Sequence, residues 1–151
     1  MSRVVVVTDS CASIPEEIIS ELSIHWVAYY IHRGQEVLRD LITIKREEFL
    51  QWLATTPVLP TTASPGPGDY LELYESIIET ENTEEIISIH MTSKASGAYQ
   101  AAKIAQTMFC EKFPHVRIEV IDTLNVSLCQ GWMVIEAARA ALAGRSLDEI
   151  V

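Results

Sequence analysis

The sequence has no paired cysteine pattern, no long apolar run and no excess of basic charge, and each absence removes a class of protein. Only three of its 151 residues are cysteine, Cys11, Cys110 and Cys129, an odd number without CxxC or Cys/His ligand spacing. They read as reduced thiols in a reducing compartment, not as a disulfide framework. No stretch approaches the ~20 apolar residues that a membrane-spanning helix needs. Met1, Ser2 and Arg3 alone precede the first apolar run, residues 4–7, which is too short for a secretion-signal core. The expected location is cytoplasmic. With 11 basic against 21 acidic residues the formal net charge is -10, which argues against nucleic acid and anionic membrane surfaces as partners.

The signatures of catalysis are missing as well. There is no GxSxG elbow, no Gly-x4-Gly-Lys-Ser/Thr loop and no GxGxxG after the first strand. His25, His32, His90 and His115 show no paired spacing, so neither a zinc site nor any other metal site is expected. Asp9 stands where aspartyl-phosphate enzymes carry a nucleophile, but Cys11 occupies the place of the second acid, and Asp9 reads as a loop cap. Cys11 has no basic residue in the turn that follows and reads as inert packing. Trp26, Trp52 and Trp132 read as core or interface anchors.

What is present is a well-filled α/β chain. At 48% hydrophobic residues the length suits one domain with a proper core. Residues 4–7 are a continuous β-branched run, the pattern of a strand buried on both faces. Ser13 and Glu16 have capping-box spacing, with Pro15 in the first turn of a helix that carries Ile18, Ile19 and Leu22. Residues 25–31 read as one strand, and the Arg33-Gly34-Gln35-Glu36 turn as a small hairpin. Phe49, Leu50 and Leu53 share the face of a short helix. Four prolines and two glycines mark residues 57–68 as a loop.

Helix then follows around residues 70–78, strand at 85–90, helix at 97–109, strand at 117–121 and helix at 128–143. The last of these is apolar nearly all round and predicts burial against more than one neighbour. This alternation predicts a mostly parallel sheet with helices on both faces. Residues 1–144 are expected to form the domain. Ser146 and Glu149 form a second capping box, so residues 145–151 are expected to begin a further, truncated helix.

In such sheets ligands bind beyond the carboxyl ends of the strands, and here those ends carry hydroxyls. Asp9-Ser10, Thr92-Ser93 and Asp122-Thr123 close three strands, and the proline-rich loop adds Thr61, Thr62 and Ser64. Ser96 is placed to cap the helix after Thr92-Ser93-Lys94-Ala95-Ser96-Gly97, whose free N–H groups could hold an anion. A binding site fits these residues better than a catalytic one.

With these motifs in view, the chain resembles the DegV family along its whole length. Thr8-Asp9-Ser10-Cys11-Ala12-Ser13-Ile14-Pro15 is similar to the family's opening motif, and Pro60-Thr61-Thr62-Ala63-Ser64-Pro65-Gly66-Pro67-Gly68-Asp69-Tyr70 to its proline-rich motif. Thr92-Ser93-Lys94-Ala95-Ser96-Gly97-Ala98-Tyr99-Gln100 and Val120-Ile121-Asp122-Thr123, with Val126, Ser127 and Gly131, match two more. Ala63, Ser64 and Ala95 depart from it.

The resemblance implies the first domain of a two-domain carrier, with its C-terminal domain missing from this chain. A long-chain fatty acid would lie between the domains as ligand, without a cofactor, to be offered to a partner fatty-acid kinase subunit that phosphorylates the carboxylate. The resemblance further implies that Ser93 and Thr62 contact the carboxylate and that Ser96 and Gly97 complete the cradle; the hydroxyl-bearing loops add Ser10, Thr61 and Ser64 as further candidate ligand contacts. The chain itself is expected not to be an enzyme. The competing expectation is an enzyme or phosphotransfer component acting on a small phosphorylated or hydroxylated metabolite, since the same cradle suits phosphate; a purely structural interaction domain is a third.

Overall fold

Strand β1 (Val5–Asp9) is buried along its whole length, and its side chains divide between two cores. Val4 and Val6 join Ile87 and Ile89 on one face, while Val5 and Val7 join Ile86, Ile118 and Val120 on the other. A period of two with both faces covered is why this run carries no polar residue until Thr8. The computed structural model describes residues 3–151, so Met1 and Ser2, and the reading of the chain's start, lie outside the described residues.

Four parallel strands form the main sheet, in the order β2 (His25–Val27), β1, β6 (Glu85–His90) and β7 (Arg117–Asp122). On one face lie α3 (Pro67–Thr80) and α4 (Ala98–Lys112), which bury Tyr70, Tyr74, Ala102, Ala105 and Phe109. Alanines at 98, 101, 102 and 105 let α4 approach α3 and β7 closely. The other face is covered by α5 (Leu128–Leu142), flanked by α1 (Glu16–Glu21) and α6 (Leu147–Ile150). The expected architecture, a parallel sheet with helices on both faces, is the one observed.

A second, antiparallel sheet stands beside the first, in the order β4 (Glu36–Arg39), β3 (Tyr30–Arg33) and β5 (Thr61–Ala63). The expected hairpin is its core, with Arg33 opposite Glu36 and Gly34 at a φ of 65° in the turn. Helix α2 (Arg46–Leu53) follows this sheet and buries none of its side chains fully.

Several local expectations are corrected. Residues 25–31 are not one strand: β2 joins the parallel sheet and β3 the small one, and the chain changes sheets at Ala28 and Tyr29. The proline-rich stretch is not loop throughout, because Thr61, Thr62 and Ala63 pair with His32, Ile31 and Tyr30. Ser13 does not cap α1. Its φ of 56° places it in the left-handed region, where it ends the 3-10 turn Ser10–Ala12, and Pro15 takes the N-cap place without a side-chain bond. On α5, Val134, Ile135, Ala138 and Ala141 are buried, but Trp132 and Met133 remain exposed.

Leu147 is fully buried in the same cluster as α5, and the Glu149 carboxylate accepts the Ser146 N–H at 2.9 Å. That hydrogen bond and others from the Ser146 hydroxyl and Arg145 hold Glu149 below its ordinary range.

Candidate ligand-binding site

The strand order of the main sheet reverses at β1. Strand β2 lies on one side of it and β6 on the other, so the loops that leave β1 and β6 part from each other. Such switch points open a crevice beyond the carboxyl ends of the strands. A cavity of about 740 Å³ lies there, within the ~300–1,000 Å³ range of small-molecule sites. Cys11 from the loop after β1 and Met91, Ala95, Ser96 and Gly97 from the loop after β6 form one wall. The small sheet supplies the opposite wall through Ile31, Thr62 and Ala63, with Ser64 just beyond β5, and α2 adds Arg46, Phe49 and Leu50. The lining is apolar through Ile31, Phe49, Leu50, Ala63 and Met91, with a few hydroxyls and two charges, Asp40 and Arg46.

The two hydroxyl-bearing loops, more than thirty positions apart in sequence, do converge. A Cβ on Gly97 would lie 3.4 Å from the Ser64 hydroxyl, so the proline-rich loop and the start of α4 are in contact. Asp69 fixes the first of these loops, accepting the Gly66 N–H at 2.8 Å and the Tyr30 hydroxyl at 2.7 Å. Ser96 fixes the second: its oxygen accepts the Ala98 N–H at 3.2 Å, the capping role expected of it, although Gly97 occupies the N-cap place. Its hydroxyl also shares a 2.5 Å hydrogen bond with the Tyr29 phenol.

Of the residues expected at the site, Thr62, Ser64, Ser96 and Gly97 line the cavity. Three others are outside its lining. Ser93 gives its N–H to the Asp122 carboxylate at 3.1 Å, which also accepts the Leu124 N–H at 3.0 Å. Partial burial pushes the Asp122 carboxyl up, and these hydrogen bonds outweigh it and hold it below its ordinary value. The Ser10 oxygen accepts the Tyr29 N–H at 3.1 Å. Thr61 sits on the exposed strand β5 opposite His32.

The structure also brings together Asp9, His90 and Ser88, a group that the site expected from the sequence does not include. Asp9 caps the turn after β1 by accepting the Cys11 N–H at 3.1 Å, the role read for it. Its second oxygen accepts the Met91 N–H at 3.3 Å and bonds His90 Nδ1 at 3.0 Å. His90 Nε2 lies 2.6 Å from the Ser88 hydroxyl, which accepts from the Tyr74 phenol at 2.8 Å. Asp, His and Ser in a row have the composition of a hydrolytic triad, but Asp9, His90 and Ser88 are all sealed from solvent. With no access for a substrate, the row ties β1 to β6 and α3 beneath the cavity. The period-two pattern of β6 hints at it, since Ser88 and His90 fall on one face.

Cys11 is the only thiol at the cavity. Burial, with Asp9 and Asp40 nearby, pushes it up to about 12, which fits the inert role read for it. Among the described residues no cluster of three or more His, Cys, Asp or Glu is arranged to hold a metal ion. No helix among them is long and apolar enough to cross a membrane.

An open parallel α/β domain that keeps an apolar, hydroxyl-rimmed cavity at its switch point defines a class of ligand-binding domain. Residues 3–151 match the model of the DegV family, described as a family of uncharacterised proteins, and the chain belongs to that family. It is 37% identical over 151 residues to the DegV domain-containing protein TTE1491 of Caldanaerobacter subterraneus subsp. tengcongensis, a match that covers 100% of this chain and 51% of that protein. A DegV family protein from Thermus thermophilus, described by its fatty acid binding, has 30% identity and a TM-score of 0.83 over 98% of this chain and 50% of its own. DegV of Bacillus subtilis, described as a fatty acid binding protein, has 28% identity and a TM-score of 0.88 over 99% and 51%. The chain spans about half the length of the curated relatives it matches.

Proposed function

We propose that this chain is the fatty-acid-binding half of a cytoplasmic carrier that presents an acyl carboxylate to a partner kinase and performs no chemistry itself. The single observation that carries the reading is the cavity itself. Its lining joins the apolar side chains of Ile31, Phe49, Leu50, Ala63 and Met91 to the hydroxyls of Thr62, Ser64 and Ser96. Each methylene taken from water is worth about 0.8 kcal/mol, so the acyl chain supplies most of the affinity. Hydroxyls at the rim orient a carboxylate by charge-assisted hydrogen bonds. The relatives described as binding fatty acids share this fold at 28–30% identity. Thr62 and Ser96 rank ahead of Ser93 as carboxylate contacts, because they line the cavity and Ser93 does not. A second domain, of the kind that the length of the relatives points to, closes the open side.

The test is mass spectrometry of the ligand released when the purified protein is denatured. A long-chain fatty acid supports the reading. A compact phosphorylated metabolite supports the phosphotransfer alternative, and neither ligand supports a purely structural domain. The kinase partnership is tested by ATP consumption, which should require carrier, kinase subunit and fatty acid together.

A further inference from the structure

Of the side chains that line the cavity, Arg46 is the only cation. Elsewhere in the molecule Arg33, Arg117, Arg139 and Arg145 each pair with a carboxylate. Arg46 is half-buried and, among the described residues, forms no such pair, although Asp40 lines the same cavity. Arg46 opens the first turn of α2, where Glu47 and Glu48 offset the helix dipole, so it is the place of Arg46 in the cavity lining that points to an anionic ligand. Arg46 lines the same cavity as Thr62, Ser64 and Ser96, and the Ser96 hydroxyl is held by the Tyr29 phenol.

We propose that Arg46 is the charge-selecting residue of the cavity: it makes the site prefer an ionised head group to a neutral one, while Thr62 and Ser96 orient that head group. Asp40 opposes it and sets how strongly the anion is held. The inference rests on the fatty-acid reading above and goes beyond it, because hydroxyls alone accept a fatty alcohol nearly as well as a fatty acid. A guanidinium does not.

Binding of palmitate and of hexadecanol is measured on the purified, delipidated protein by displacement of a fluorescent fatty acid. The wild type should prefer palmitate. Arg46→Gln should weaken palmitate about tenfold or more, the scale of a lost charged hydrogen bond, and leave hexadecanol within about twofold. Arg46→Lys should restore most of the preference, and Asp40→Asn should strengthen palmitate alone. Parallel losses for acid and alcohol in Arg46→Gln, or no loss for either, overturn the role of Arg46 while the carrier reading stands. Failure of the wild type to bind either ligand overturns the carrier reading and this inference with it.

Discussion

The Tyr29 phenol and the Ser96 hydroxyl meet at 2.5 Å across the cavity's floor, joining the segment between the two sheets to the loop that starts α4. This bond sets the spacing between the small sheet and the loop that starts α4. Tyr29→Phe should cost about 0.5–1.5 kcal/mol in urea unfolding. It should also weaken fatty-acid binding, because the freed Ser96 hydroxyl is no longer aimed. Ser96→Ala should lose binding with a smaller change in stability. Unchanged affinity in both variants would remove this pair from the site.

The buried row beneath the cavity is structural, and its first member holds most of it. Asp9→Ala strands the Cys11 and Met91 N–H groups and leaves His90 without a partner for Nδ1. Each buried polar group left without a partner costs about 1–3 kcal/mol, so Asp9→Ala, which strands three, should cost at least about 3 kcal/mol. Ser88→Ala should cost less, since it strands fewer groups, the Tyr74 hydroxyl and His90 Nε2. Chemical denaturation ranks the two; an Asp9→Ala protein as stable as wild type would contradict the arrangement.

Gly131 separates two opposing effects. It lies inside α5, where Ala is worth about 1 kcal/mol more than Gly by helix propensity. Here, however, a Cβ would collide with the Ala12 carbonyl oxygen and crowd Ile14. Backbone cannot yield as a side-chain tip does, so Gly131→Ala should destabilise by about 1–3 kcal/mol. A rise in melting temperature would show that α5 can shift away from the turn at Ser10–Ala12.

Alkaline pH should unfold this domain by a definite route. Burial is the main cause that raises Cys11, Tyr29, Tyr70 and Tyr74 above their ordinary values of 9.0 for the thiol and 10.0 for the phenols. A raised folded-state value favours the neutral form, so this stability is fully present below those ordinary values and is lost as pH climbs past them. Acid leaves these four groups unaffected. Tyrosinate absorbance for the three buried phenols should therefore appear together with loss of structure. At mildly alkaline pH iodoacetamide should modify the exposed Cys129 well before Cys11, and bound fatty acid should slow Cys11 further. Early ionisation of all five tyrosines in a folded protein would contradict the burial assigned to them.

How much was legible in the sequence follows from how local each signal is. The β-branched run before Asp9, the strands around Ile87 and Val120 and the long helices carry their periodicity in consecutive residues, and they fold as read. Elements that depend on distant partners were not legible. Thr61–Ala63 forms a strand only because β3 lies alongside it, and its prolines and glycines spoke for a loop. Ser13 has the spacing of a capping box, but the tight turn before it forces the left-handed region and turns it to another use. At the site, the hydroxyl loops stood out by their position after strands. Arg46 did not, because Lys45-Arg46-Glu47-Glu48 reads as a solvated charge run, and only the fold shows which of the four faces inward.

The two walls of the cavity differ in what holds them. The wall built on β1 and β6 stands on two apolar cores. The wall built on the small sheet and α2 has little behind it: β5 is exposed throughout and α2 buries no side chain fully. Amide hydrogen exchange on such a surface reports local opening at a small fraction of the global unfolding energy. A cargo that touches both walls adds its binding energy to the weaker one, so protection in residues 30–63 becomes a gauge of occupancy. An empty domain exchanges there quickly and a loaded one slowly, while the parallel sheet registers little difference. Loading thus leaves its trace in the wall that has the least core of its own.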